Sequence, residues 1–255
     1  MTHNSGQGSH QVEPRTVEVF AVIDLDRTLL NTSVLIELLY FQLHDHGYTS
    51  EQISEELAFI EQQTGTSFSL FDHIEKTHSR EILESILEKV LLLAEDGDLD
   101  AATLLCRGTE RLLELLEYND VPHAILTYGN ELDQAFKLTL VRKLLHKSEN
   151  ELPAAITDEP KKAAWIAATW NDIDSTGAIA IPEAIAGLAH LRARNIVIID
   201  DKQANLDSDS PTVKGILVNN SVSRPSGSMS TEDLVQSIEA GMSLADIARL
   251  QVAQS

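Results

Sequence analysis

Residues 17–28 read VEVFAVIDLDRT, a run of β-branched and other apolar side chains that ends abruptly in carboxylates. Short runs rich in Val and Ile are typical of a strand that is buried on both faces, as in a parallel sheet. The pattern therefore predicts a strand over residues 17–23. Asp24, Asp26 and Thr28 then lie in the loop that follows the last residue of this strand.

The rest of the chain alternates strand-like and helical patterns. Similar apolar runs occur at 122–126, 195–199 and 213–218, and a weaker one occurs at 152–156. Helical patterns lie between them at 108–118, 133–145, 163–170 and 182–192. Strands that alternate with helices predict an α/β fold with a doubly wound parallel sheet.

One long stretch breaks this alternation. Residues 32–102 contain only helical patterns, at 33–46, 50–63, 70–77 and 80–94. A stretch of this length is not a simple crossover, so it predicts a separate helical subdomain. The predicted organisation is a disordered tail at 1–14, an α/β core at 15–31 and 103–230, the helical subdomain at 32–102 and a C-terminal helical extension at 231–255.

The charge of the chain restricts its partners. It carries 40 acidic and 19 basic residues, a formal charge of −21. Nucleic acids are bound largely through phosphate neutralisation by Lys and Arg, and anionic membranes attract basic segments. We therefore expect neither partner. A small phosphorylated ligand fits such a chain only where a local cation offsets the overall field.

The compartment is predicted from cysteine usage and from the N-terminus. Cys106 is the single cysteine, which excludes a disulfide framework and a multi-cysteine zinc site. The first ten residues, MTHNSGQGSH, lack the basic and apolar regions of a signal peptide, and no apolar run approaches the ~20 residues of a membrane span. These features favour a soluble protein of the cytoplasm.

Polar side chains follow four of the predicted strands. They are Asp24 and Asp26 after the first strand, Thr127 after the second, Lys161 and Lys162 after the weaker one, and Asp200 and Asp201 after the strand at 195–199. Ligands bind at the carboxyl edge of a parallel sheet, where these loops converge. Several carboxylates repel one another unless a cation lies among them, and oxygen ligands beside a phosphate favour Mg²⁺.

This set of residues suits phosphoryl transfer. One aspartate can attack phosphorus to form an aspartyl-phosphate, and a second can protonate the leaving oxygen and later deprotonate water. Thr127 can donate a hydrogen bond to a phosphoryl oxygen. A lysine supplies the local cation that stabilises the developing negative charge.

The motifs resemble those of the haloacid dehalogenase superfamily of phosphohydrolases. DxDxT at 24–28, a strand-end threonine, a helix-start lysine and the apolar run before Asp200 and Asp201 occur in the family's order. The resemblance covers residues 17 to about 220, and the helical insertion looks like a C1-type cap of that family. It implies a Rossmann-like core and Mg²⁺ as the cofactor.

The resemblance also implies a role for each acidic residue. Asp24 would be the nucleophile and a Mg²⁺ ligand, and Asp26 would be the general acid and base while its backbone carbonyl binds the metal. Asp201 would bind the metal most directly, with Asp200 either a ligand or a supporting residue. An aspartate at position 26 favours a phosphatase or phosphotransferase over a dehalogenase, because an alcohol leaving group needs a proton.

The remaining residues of the motifs would bind the phosphate. Either Lys161 or Lys162 could be the lysine of the third motif, and the sequence that follows favours Lys162. The phosphate- and substrate-binding candidates are Arg27, Thr28, Tyr128 and Gly129. Arg27 occupies a position where many members of the family have glycine, which bears on the shape of the substrate.

The predicted function is Mg²⁺-dependent hydrolysis of a small phosphate monoester through an aspartyl-phosphate. Two alternatives stay open at this level: a non-catalytic or regulatory binding protein with the same fold, and a phosphotransferase or mutase of the same superfamily. The sequence names neither the substrate, beyond a small phosphorylated metabolite, nor the oligomeric state.

Overall fold

The computed structural model describes residues 14–62, 69–187, 190–221 and 224–252. The six strands are β1 (Arg15–Ile23), β2 (His123–Tyr128), β3 (Ala154–Thr157), β4 (Ile179–Ala180), β5 (Leu191–Asp200) and β6 (Val213–Leu217). The predicted disordered tail lies outside the described residues, apart from Pro14.

Helices flank the strands in the alternating order that the sequence predicts. They are α1 (Thr32–Phe41), α2 (Ser50–Gln62), α3 (Leu70–Thr77), α4 (Arg80–Glu95), α5 (Ala101–Leu104), α6 (Thr109–Tyr118), α7 (Glu131–Leu144), α8 (Lys162–Thr169), α9 (Glu183–Ala186), α10 (Thr231–Glu239) and α11 (Leu244–Val252). Two short 3₁₀ helices span Gln42–His46 and Gln203–Asn205.

The strands form one sheet with β1 near its centre. The order is β3-β2-β1-β5-β4, and β6 also pairs with β5, beyond the segment that β4 occupies. All pairings are parallel except the short one between β4 and β5. This confirms the predicted parallel α/β sheet, and it brings the carboxyl ends of β1, β2 and β5 side by side.

The sheet is covered on both faces because side chains along β1 alternate between them. Ala21 and Ile23 belong to an apolar cluster with α6 and α7, whereas Phe20 and Val22 belong to a second cluster with α8. Each of these four residues is completely buried. Burial on both faces explains why residues 19–23 of this strand are continuously apolar instead of alternating.

The insertion between β1 and α6 is helical, with no strand among its described residues 32–62 and 69–104. Its core is continuous with one face of the sheet, since Leu39 and Ile86 lie in the same apolar cluster as Val141 of α7. The two linkers run side by side, and the Asn31 amide donates to the Leu104 carbonyl at 2.8 Å. That the insertion acts as a cap stays a prediction.

One predicted element is wrong. The pattern at 182–192 predicted a single helix, but only Glu183–Ala186 is helical, and Leu191 already begins β5. Gly187 has a φ of 62°, the left-handed conformation that ends helices. Residues 191–194 alternate apolar with basic side chains and pair with β1, so their period is that of a strand.

The C-terminal helices pack against the core. Helix α10 contacts α6, and α11 contacts β6. Ser230 caps α10 by accepting a hydrogen bond from the Asp233 amide at 3.0 Å, while the Asp233 carboxylate accepts one from the Ser230 amide. No helix in the described part of the chain is both long enough and apolar enough to cross a membrane.

Candidate active site

Three aspartates meet at the carboxyl edge of the sheet. Asp24 follows the last residue of β1, and Asp200 and Asp201 stand at the end of β5. Each offers a carboxylate oxygen, and these oxygens lie within 4.8 Å of one another. The pairing of β1 with β5 produces this arrangement, because Ile23 is in register with Ile199.

Lys162 is the cation that faces these carboxylates. It is the first residue of α8, its side chain is only 1% exposed, and it donates to Asp24 and, at 2.8 Å, to Asp200. Lys161 is the exposed residue that precedes the helix. Of the two lysines that the sequence left open, the geometry therefore brings Lys162 to the carboxylates.

The two adjacent aspartates differ in their free oxygens. Asp200 accepts hydrogen bonds from Lys162, from the Lys202 amide at 2.9 Å and from the Asn205 side chain at 2.8 and 3.0 Å. The Asp201 carboxylate accepts none from any described residue. Asp201 is thus the carboxylate with most capacity for a metal ion, Asp24 accepts from Lys162 and Thr28 only among the described residues, and Asp200 is held in place by its donors.

The electrostatics of this group match a cation site. Burial raises the pKa of Asp24 to about 8, and nearby Asp200 and Asp201 add to the rise, against the opposing effect of Lys162. Burial also raises the pKa of Asp201 to about 6, with Asp200 contributing. A divalent cation would compensate this repulsion, and an all-oxygen donor set fits Mg²⁺.

Asp26 is held by three donors. Its carboxylate accepts from the Thr32 hydroxyl at 2.7 Å, from the Gln134 amide at 3.2 Å and from the Lys137 ammonium at 2.9 Å. Burial acts to raise the pKa of Asp26, but Lys137 and the hydrogen bonds outweigh it, so the pKa is lowered. Asp26 is therefore ionised in this arrangement.

Thr127 belongs to the same network, at the second strand end. Its buried hydroxyl donates to Gln134 at 2.6 Å, which connects it to Asp26. Gly129 has a φ of +145°, and a Cβ there would lie 3.0 Å from the Gln134 amide nitrogen. Tyr128, the last residue of β2, is exposed at the rim of the candidate site.

The loop after β1 is held by a hydrogen bond between its own residues and by hydrogen bonds from the C-terminal segment. The Thr28 hydroxyl donates to Asp24 at 3.3 Å. The Asn220 amide donates to the Arg27 carbonyl at 2.9 Å and to the Thr231 hydroxyl, which in turn donates to the Thr28 carbonyl at 3.2 Å. Arg27 itself is exposed and has a left-handed φ of 62°.

Several residues of the site were missing from the predicted set. Thr32 comes from the first turn of α1, and Asn220 and Thr231 come from the distant C-terminal segment. No local pattern points to these three. Gln134 and Lys137 did leave a signal, because residues three apart on a helix share a face. Both direct their side chains to Asp26.

The fold is that of haloacid dehalogenase-like hydrolases, as the motifs predict. The chain is similar to a solved haloacid dehalogenase-like hydrolase from Burkholderia xenovorans LB400, with a TM-score of 0.54 and 17% identity, covering 89% of this chain and 99% of the other. At this identity the similarity concerns the fold alone.

Other solved structures are less similar. A HAD hydrolase from Entamoeba histolytica has a TM-score of 0.45 and 14% identity, covering 92% of this chain and 99% of its own. A HAD-superfamily hydrolase from Ehrlichia chaffeensis has a TM-score of 0.40 and 17% identity, covering 87% and 96%. No protein-family model matches the sequence, and no curated protein matches it.

Proposed function

We propose that the protein is a Mg²⁺-dependent phosphatase of the haloacid dehalogenase superfamily, acting on a small phosphorylated metabolite. The observation that carries the proposal is the convergence of Asp24, Asp200 and Asp201 within 4.8 Å, with the buried ammonium of Lys162 on Asp24. A structural ion pair needs one carboxylate per cation. Three carboxylates around one lysine leave an excess of negative charge that suits a metal ion.

Asp24 and Asp201 would hold the ion, together with the backbone carbonyl of Asp26, and Asp200 would support them. When bound, Mg²⁺ neutralises charge on the carboxylates and on the phosphoryl oxygens. Lys162 contributes a second positive charge at the nucleophile. It also keeps the carboxylate of Asp24 oriented, because its ammonium is fixed between Asp24 and Asp200.

The proposed reaction has two steps. In the first, an Asp24 oxygen attacks phosphorus, the bond to the leaving oxygen breaks, and Asp26, which takes up a proton from solvent when the negatively charged substrate binds, gives that proton to the leaving oxygen. In the second, Asp26 takes a proton from water, water oxygen attacks phosphorus, and the bond to Asp24 breaks to release phosphate.

Thr127 and the loop residues complete the site in this proposal. Thr127 and Gln134 order Asp26 from one side, and Thr28 orders Asp24 from the other. Gly129 keeps the second strand end close to Gln134, and Tyr128 would contact substrate at the rim. The helical insertion would act as a cap, and Thr32 is its contribution to Asp26.

The test is hydrolysis of p-nitrophenyl phosphate by the purified chain with Mg²⁺. We expect Asp24→Asn to remove turnover, because an amide does not attack phosphorus, and to preserve the fold by circular dichroism. Asp98→Asn is the matched control, since Asp98 is exposed in the loop after α4. Turnover by Asp24→Asn at the level of the control would refute the mechanism.

The alternatives give different results in the same experiment. A non-catalytic binding protein would bind phosphate esters without releasing phosphate at any metal concentration. A phosphotransferase or mutase would release little free phosphate in water and would form a new ester when an alcohol acceptor is added. Trapping the labelled aspartyl-phosphate on Asp24 would support the shared first step, and the acceptor dependence would separate the two reactions.

A further inference from the structure

A polar cavity of about 680 Å³ opens beside the candidate metal carboxylates. Asp201 and Arg27 line it together with Cys106 and residues 219–221, and residues 102 and 103 close it from the end of the helical insertion. Small-molecule pockets range over about 300–1,000 Å³, and a phosphate group alone fills only part of such a space. The cavity therefore has room for the part of a substrate that leaves with the alcohol.

Three arginines line this cavity, and they differ in their partners. Arg107 pairs with Glu232 at 3.1 Å, and Arg224 pairs with Asp233. Arg27 forms neither an ion pair nor a side-chain hydrogen bond with any residue in the described ranges. Within the described lining, Arg27 is thus the cation whose donors are not used by the protein.

The backbone at Arg27 is also unusual. Its φ of 62° lies in the left-handed region, which costs a residue with a Cβ about 1 kcal/mol and costs glycine nothing. The hydrogen bond from Asn220 to the Arg27 carbonyl holds this conformation. Strained backbone of this kind is typical of functional positions, where the surrounding structure compensates for it.

We propose that Arg27 is a specificity-determining residue that binds a second anionic group, a carboxylate or a second phosphate, on the substrate. This inference rests on the proposed function, because it assigns the transferred phosphoryl group to the carboxylates and Lys162. A planar guanidinium binds both kinds of oxyanion through two parallel hydrogen bonds. Arg107 and Arg224 already pair with Glu232 and Asp233, so in this lining a second anionic group is directed to Arg27.

The first test measures binding without turnover, in the Asp24→Asn background with Mg²⁺. Two pairs of ligands are compared by isothermal titration calorimetry: 3-phosphoglycerate with glycerol 3-phosphate, and fructose 1,6-bisphosphate with fructose 6-phosphate. Each pair differs by one anionic group, a carboxylate in the first and a phosphate in the second. The pair in which the doubly anionic ligand binds more tightly identifies the second group as a carboxylate or a phosphate.

We expect Arg27→Gln to weaken binding of the doubly anionic ligand of one pair at least tenfold, about 1.4 kcal/mol, and to change the other member less than twofold. Arg27→Lys should keep part of the preference. Arg194→Gln is the matched control, because Arg194 is outside the cavity and, among the described residues, its side chain has a single ion-pair contact, with Glu18 at 3.9 Å. Arg194→Gln should change the dissociation constant of neither ligand in a pair.

Three results would overturn the inference: no preference within either pair, an equal loss for both members of a pair in Arg27→Gln, or no binding of any ligand. An equal loss would mean that Arg27 binds the transferred phosphoryl group instead. Failure of the proposed function looks different. In that case the Asp24→Asn protein still binds the doubly anionic ligand more tightly, and Arg27→Gln still removes this preference. The chain with Asp24 intact, however, releases no phosphate from the preferred ligand.

Discussion

Replacing Lys162 with methionine removes the ammonium that donates to the buried carboxylates of Asp24 and Asp200 and keeps an unbranched side chain of similar size. The side chains of Lys162, Asp24 and Asp200 are 1%, 8% and 0% exposed, so solvent screens their charges little. Removing one partner of a buried ion pair costs about 3–5 kcal/mol, because the remaining charge is left without compensation. For a chain of this size, such a loss corresponds to a fall in Tm of about 10 °C.

The assay is thermal and urea unfolding followed by circular dichroism, in EDTA and again with excess Mg²⁺. In EDTA no metal ion replaces the lost positive charge, so the full loss in the free energy of unfolding relative to wild type should be measured. Mg²⁺ should reduce the difference, since it supplies positive charge to the same carboxylates. Turnover of p-nitrophenyl phosphate should fall at least ~100-fold, the usual effect of removing one group that stabilises the transition state.

Lys161→Met is the control, because it makes the same change at the exposed neighbouring residue. Surface substitutions usually stay within about 0.5 kcal/mol, and its turnover should match that of wild type. The reasoning is refuted if Lys162→Met is as stable as wild type in EDTA, or if Lys161→Met loses more turnover than Lys162→Met.

Three other changes have expected outcomes. Chelation with EDTA should abolish turnover, and Mg²⁺ should restore it. Ca²⁺ should inhibit, because its flexible coordination geometry lets both Asp24 oxygens bind the ion. Full activity in excess chelator would contradict the metal site. Burial raises the pKa of Asp133 from 3.8 to about 6, so its ionisation opposes folding as the pH rises through this window. Asp133→Asn should therefore match wild type in stability near pH 3.5 and exceed it by up to about 3 kcal/mol at pH 8 in urea unfolding, and an equal stability at both values would refute this. Gly215→Ala should lose about 1–3 kcal/mol, since the new Cβ would lie 2.6 Å from the Leu206 Cβ, and a wild-type urea midpoint would show that the contact relaxes freely.

The fold was largely predictable because its signals are local. A strand buried on both faces leaves an apolar run, as in residues 17–23, and its end is marked by carboxylates. The prediction failed where two patterns meet. At 182–192, a short helix, a left-handed glycine and the first residues of β5 follow one another, and their combined composition is compatible with a single helix.

The candidate site was predictable at the strand ends and not beyond them. Asp24, Thr127 and Asp200 each follow or end an apolar run, so their position is encoded within a few residues of sequence. The residues that hold Asp26 are Thr32, Gln134 and Lys137, and the last two lie on α7, after the entire insertion. Their contacts depend on how α1 and α7 pack on the sheet, which no short window of sequence contains.

By itself the sequence determined the parallel α/β core, the helical insertion and the aspartates of the strand ends, because periodicity and strand ends are local properties of a chain. Only the tertiary structure decided which lysine meets the carboxylates and which aspartate keeps free oxygens. The sequence does not distinguish Lys161 from Lys162, but in the fold Lys162 is the buried first residue of α8 and Lys161 is the exposed residue before it. The contact of Asn220 with the Arg27 carbonyl was likewise decided by the tertiary structure, since the two residues are far apart in the sequence.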